Sequence, residues 1–177
     1  MRASEKKNSS QAPAVAPPAS RREWIGLAVL ALPALLISMD LSVLYLAVPR
    51  LSAALRPSSV QLLWITDVYG FLLAGSLIPM GALGDRIGRR KLLMIGGTAF
   101  GLASVVAAFS TSAATLITAR AVMGIAAATL APSSLALISN MFKDPRQRTR
   151  AISVWATSLS VGGAVGPIVG GVLLNSF

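Results

Sequence analysis

The chain has 177 residues, 54% of them hydrophobic and only 12% charged, with a net charge of +10. A soluble domain is about 25% charged, so the composition argues against an ordinary water-soluble globule. There is no Cys and no His, which excludes the disulfide, zinc, haem and Ser-His-Asp arrangements that depend on those residues.

Residues 1–22, "MRASEKKNSSQAPAVAPPASRR", are rich in Ser, Ala and Pro and carry five of the sixteen cations. They read as a disordered basic tail. They do not read as a signal peptide, because the apolar run that follows is too long and no small-residue cleavage site closes it. From there the chain alternates apolar runs of about 20 residues, the length that crosses a bilayer core of roughly 30 Å, with short polar links. Spans are predicted at about 24–48, 61–82, 92–109, 115–139 and 151–174. Each is apolar all round rather than on one face, as lipid-embedded or deeply buried helices are. The links are 51–60 with "RPSS" in its middle, the hinge "GALGDRIGRRK" at 81–91, "STSAA" at 110–114 and "NMFKDPRQRTR" at 140–150. The expected fold is an all-α integral membrane protein of about five transmembrane helices.

The cations sort by link. Five lie in the tail, four in the 81–91 hinge (Arg86, Arg89, Arg90, Lys91) and four in the 140–150 link (Lys143, Arg146, Arg148, Arg150). A five-helix zigzag places all of these on one side, leaving Arg50 and Arg56 opposite and Arg120 inside the fourth span. By the positive-inside rule the tail and both basic links are cytoplasmic. The expected location is therefore the plasma membrane, multi-pass, with a cytoplasmic N-terminus. Nucleic-acid binding is disfavoured, because the charges are split by membrane spans instead of sharing one face with aromatics between them. The hinge asks for more than charge. Gly81, Gly84 and Gly88 allow backbone conformations and close approaches that other residues resist. Asp85 stands shortly before the third span, where an acid favours the helix dipole.

"GALGDRIGRRK" resembles the loop 2–3 signature of the major facilitator superfamily, roughly G-x-L-x-D-R-x-G-R-K/R-x. "RAVMG" at 120–124 is similar to its fourth-helix R-x-x-x-G motif. "GGAVGPIVGG" at 162–171 is similar to its fifth-helix antiporter motif. "MDLSVLYLAVP" at 39–49, continued by "LLWITDVYGFLLAG" at 62–75, is similar to the first-helix D-x-T-x-x-x-x-A-L-P pattern of the 14-helix drug:proton antiporters, the quaternary-ammonium and methyl-viologen efflux branch. Ser42 stands where that pattern often has Thr, and Ser153 takes the place of an early glycine in the antiporter motif. The resemblance covers about 24–177. It implies the N-terminal six-helix half of a major facilitator fold, represented here by helices one to five of a twelve- or fourteen-helix transporter. The missing C-terminal half is then needed for transport, because such proteins rock two halves around a site between them.

Three charged residues inside the spans stand out. An intramembrane carboxylate such as Asp40 must face a cavity, find a partner or take up a proton. A group able to do each in turn can exchange a proton for a cation. The alternative is an acid paired to a polar backbone break, helped by Pro33. Asp67 and Arg120 are placed at similar depths by counting from their helix ends, which predicts an ion pair between them. The alternative is that both snorkel to the outer headgroups. Asp40 thus reads as a proton and cation site and Asp67 as a second candidate for that coupling, while the resemblance implies a role in proton transfer for Arg120. It also implies that Gly81, Gly84, Asp85, Arg86, Gly88 and Arg89 form a conformational gate, and that Gly162, Gly166, Pro167, Gly170 and Gly171 form the antiporter motif. On the fifth span Ser158, Gly162, Gly166 and Gly170 recur every four residues, a face suited to close helix packing. Trp24 reads as an interfacial anchor. Tyr45, Trp64 and Tyr69 are either further anchors or a surface that stacks on a flat cation.

The expected function is proton-coupled efflux of lipophilic cations such as quaternary ammonium compounds and dyes, powered by the proton gradient with no cofactor and no metal. The alternatives are a non-transporting membrane remnant or assembly partner, and a transporter for a metabolite. An enzyme is not expected, since no nucleophile–base pair can be assembled from these motifs.

Overall fold

The computed structural model describes residues 19–176, with side chains described as far as Val172. Five helices follow one another: α1 (Arg21–Leu55), α2 (Ser59–Ile87), α3 (Arg89–Ala108), α4 (Ala113–Met141) and α5 (Pro145–Ser176). All five are long and apolar enough to cross a membrane. The protein is a multi-pass membrane protein of all-helical architecture.

The helix ends show why the spans are longer than hydropathy predicts. Ser20 caps α1 in a capping box with Glu23, whose carboxylate accepts from the Ser20 amide at 2.7 Å and from its hydroxyl. Arg21 and Arg22 therefore belong to the first helical turn rather than to a tail, while the rest of the predicted tail, 1–18, lies outside the described residues. Ser58 and Gln61 form a second capping box at α2, with bonds of 2.9 and 3.3 Å. Such reciprocal caps satisfy orphan amides at a helix start. They let helices begin inside polar sequence that a hydropathy window assigns to a loop. The predicted 51–60 link thus shrinks to 56–58, closed by Arg56 in the left-handed region at φ 43°. The predicted basic link at 140–150 shrinks to 142–144. Asp144 accepts from the Gln147 amide at 3.0 Å to open α5, and Arg148 reaches back to the Phe142 and Lys143 carbonyl oxygens.

The 81–91 hinge is mostly helix. Gly81, Gly84, Asp85 and Arg86 complete α2, and Arg89 already begins α3. Gly88 alone breaks the helix, at φ 97°, a conformation that glycine adopts without steric cost. Asp85 consequently stands in the last turn of α2 and pairs with Arg89 across the break, Oδ1 to Nη2 at 2.6 Å.

With links this short, successive helices run antiparallel, and the basic residues of both ends of α2–α3 and α4–α5 gather at one end of the bundle. The centre is α4: 56% of its most apolar stretch is buried, against 17–28% for the other four helices. It packs on α2 and α3 and touches α1, while α5 lies along α1. Close approach is bought with small residues. Ala126 and Ala127, with Leu130 beside them, join Ile37, Tyr69 and Phe100 in the main core. A second core at the basic end joins Leu27, Leu30, Ile138, Phe142 and Trp155. The glycine face predicted on α5 meets α1. A Cβ on Gly162 would collide with Ser38 Oγ and the Leu35 carbonyl, and one on Gly166 would lie 2.8 Å from Ser42 Cβ.

Candidate functional site

On α1 the residues Ile37, Asp40 and Leu44 fall at intervals of three and four, one stripe of a helix. Ile37 and Leu44 are buried, and their stripe carries Asp40 toward α4. On α4 the same spacing aligns Arg120, Gly124, Ala127, Ala131 and Ser134. There Arg120 Nη1 donates to Asp40 Oδ2 at 3.3 Å. The arginine side chain is 3% exposed and the aspartate 23%. The pair joins two of the three intramembrane charges singled out in the sequence, and gives Arg120 a different partner from the one predicted.

Asp67 does not meet Arg120. Depth alone suggested that contact, and direction around the helix decides against it. Tyr69, two residues on, is the α2 side chain that reaches Arg120, and two residues are about 200° of helix rotation. The guanidinium carbon sits 5.0 Å from the Tyr69 ring centroid. Asp67 is half-buried on another side of α2 and has no side-chain partner among the described residues. Asp40 lies deep in the bundle: α1 continues to Leu55, so the residue is about 22 Å from that helix end at 1.5 Å per residue.

Tyr69 is fully buried, so the expectation that it anchors at a membrane face or offers a surface for stacking on a cation is corrected: its ring is occupied by Arg120. Tyr45 and Trp64 are 64% and 48% exposed, and Tyr45 lines a groove of about 420 Å³ between α1 and α2, with Leu62, Leu63 and Thr66. They do not adjoin the buried pair. Trp24 is 40% exposed and packs edge-on against Phe142, centroids 5.2 Å apart.

Toward the basic end from the pair lies an apolar cavity of about 290 Å³. Its walls include Ile37 and Leu41, which flank Asp40, Leu73, one turn from Tyr69, and Ala127, two turns from Arg120. Ser134 and Trp155 complete its far end. The Ser134 hydroxyl, the Trp155 indole nitrogen and the Tyr69 hydroxyl are buried with no hydrogen-bond partner among the described residues, as are Nε and Nη2 of Arg120. Sequence reasoning missed Ser134 and Trp155. The signal was a lone Trp in the first turns of the fifth span and a Ser pair directly after Pro132.

At the hinge, Arg89 folds back over Gly84. A Cβ there would lie 3.0 Å from Arg89 Cδ and 3.1 Å from Leu92 Cδ2. Arg89 is 22% exposed and Asp85 70%. No group of three acidic residues is placed to hold a metal ion among the described residues.

The Major Facilitator Superfamily matches residues 30–177. The chain is 52% identical over 156 residues to the multidrug efflux pump LfrA of Mycolicibacterium smegmatis, covering 88% of this chain and 31% of that protein. It is 47% identical to the methyl viologen resistance protein SmvA of Salmonella typhimurium, covering 88% of this chain and 32% of that protein. It is 36% identical to the puromycin resistance protein pur8 of Streptomyces alboniger, covering 86% of this chain and 30% of that protein. The chain spans about a third of the length of the curated relatives it matches.

Proposed function

Because the chain belongs to the Major Facilitator Superfamily, we propose that it supplies the first five helices of a proton-coupled exporter of lipophilic cations. The observation that carries the reading is the Asp40–Arg120 pair at the head of an apolar cavity. A lipophilic cation needs two things from a membrane site: apolar walls for its body and a carboxylate for its charge. Ile37, Leu41, Leu73 and Trp155 offer the walls, and Asp40 is the carboxylate next to them. Names of the relatives support the same class, since one is a multidrug efflux pump and another confers resistance to methyl viologen.

The exchange follows from competition at one group. Asp40 has three alternative neutralisers: Arg120, a proton and the substrate cation. Arg120 holds the carboxylate in the unloaded site. A cation that enters takes over the carboxylate, and a proton that binds it releases the cation. Breaking a buried pair without replacement costs about 3–5 kcal/mol, which keeps the site from standing empty and charged. Asp67, unpaired and half-buried, is a secondary acid that tunes selectivity. The Gly84–Arg89 turn acts as the conformational gate, and the small-residue face of α5 with Pro167 lets α5 slide and bend on α1. The lipid bilayer is the partner surface, and the C-terminal half of the transporter completes the site.

The test is dye efflux from energised vesicles bearing the complete transporter, with proton release followed in parallel. Asp40→Asn should abolish proton-driven ethidium export at normal expression, Asp40→Glu should retain some, and Asp67→Asn should be milder or selective among substrates. Full efflux by Asp40→Asn would place the coupling acid elsewhere.

A further inference from the structure

The Arg120 guanidinium, buried and aimed at one oxygen of Asp40, is held there by little hydrogen bonding. Among the described residues its only hydrogen bond is the single contact to Asp40 at 3.3 Å, longer than the 2.7–2.9 Å usual for a charge-assisted bond. Its Nε and Nη2 have no hydrogen-bond partner among the described residues. What remains is the Tyr69 ring face, 5.0 Å from the guanidinium carbon. A desolvated cation over a ring is held substantially by the ring's negative face.

The chain builds this contact with care. Gly124 lies one turn from Arg120 on the same α4 stripe, and a Cβ there would stand 2.6 Å from the Tyr69 carbonyl oxygen and 3.1 Å from its Cα. The glycine therefore lets the α2 backbone at Tyr69 come against α4 just where Arg120 emerges. Among the described residues no other titratable group competes. Asp40 faces the guanidinium from α1 and Tyr69 from α2, Asp67 points to another side of α2, and the spans of α3 beyond Lys91 and of α5 beyond Arg150 contain no acid or base. We propose that Tyr69 is a positioning residue for Arg120: its ring face holds the guanidinium beside Asp40 and so sets the pH at which Asp40 exchanges the arginine for a proton. This rests on the reading of Asp40 as the coupling acid.

The phenolic oxygen plays no part in that role, and the π face does. Without the ring, the guanidinium is held less closely to the carboxylate, the carboxylate is less stabilised, and a proton displaces the pair at higher pH. The measurement is the pH dependence of tetraphenylphosphonium binding to the complete transporter in detergent. Tyr69→Phe should keep the wild-type midpoint. Tyr69→Leu should raise it by about one unit, a tenfold gain in proton affinity and the size of one desolvated cation–ring contact. Incorporating mono-, di- and trifluorinated phenylalanine at 69 keeps the ring's size and weakens its negative face, so the midpoint should climb in step. This series also serves if Tyr69→Leu does not fold. A flat fluorination series, or a shift in Tyr69→Phe as large as that in Tyr69→Leu, overturns the proposal. If Asp40→Asn leaves the pH dependence of binding intact, the coupling reading itself falls. If Asp40→Asn removes it while the fluorinated series stays flat, only the positioning role falls.

Discussion

At the scale of single residues, glycines of the same helical type have opposite meanings in this chain. Gly124 is pressed against the α2 backbone, while Gly81 has nothing within 4 Å of where a Cβ would be. A methyl group at 124 cannot be absorbed by a flexible side chain, because the atoms it meets are backbone. Overpacking of that kind costs about 1–3 kcal/mol. At 81 the same methyl meets open space and lowers the cost of ordering a helical residue. Gly124→Ala should therefore lower the melting temperature of the purified protein by several degrees, and Gly81→Ala should hold or raise it. Equal melting temperatures would show that the α2–α4 contact is looser than the structure has it.

At the scale of elements, α1 is a two-sided helix. One face carries Ile37, Asp40 and Leu44 toward the core. Another carries Ser38 and Ser42 toward the glycines of α5, where Ser42 Oγ would lie 3.8 Å from a Cβ on Gly163. The chain has no native cysteine, so Ser42→Cys with Gly163→Cys can be tested in a clean background. Mild oxidation should join α1 to α5, seen as fragments that stay together after protease cleavage between them. A control pair of Ser42→Cys with Leu102→Cys, whose second site is exposed on α3, should not join. The α2–α3 turn makes a different demand. Its Asp85–Arg89 pair is largely open to solvent on the Asp85 side, and exposed pairs contribute little to stability. Asp85→Asn should leave melting and membrane insertion unchanged and impair transport by the complete protein. Equal transport would reduce Asp85 to a local partner of Arg89.

At the scale of the whole molecule, the ordering of charge along the bundle predicts its orientation. The basic end gathers Arg86, Arg89, Arg90, Lys91, Lys143, Arg146, Arg148 and Arg150 beside the start of α1, and the other end has Arg50 and Arg56. Reporter fusions at Arg89 and Arg146 should behave as inside, and those at Arg56 and Ser112 as outside. The reverse pattern would overturn the orientation while leaving the five-helix fold in place.

The amino-acid sequence by itself determined the five spans, their order and the family, because burial in a bilayer imposes length and apolarity one segment at a time. The small-residue face of α5 was legible for the same reason: it repeats within one helix. Helix ends were less legible, since the capping boxes at Ser20 and Ser58 extend helices into polar sequence. The partner of Arg120 was not legible at all. Asp40 lies 80 residues away, and the contact depends on which side of α1 and α2 turns toward α4. Tertiary packing decided that, through Gly124 drawing α2 against α4 and turning Tyr69 rather than Asp67 to the arginine. It also decided the cavity, whose walls come from α1, α2, α4 and α5 together. A span records its own need for burial in its composition, whereas the direction of a side chain toward another helix is a property of the packed pair.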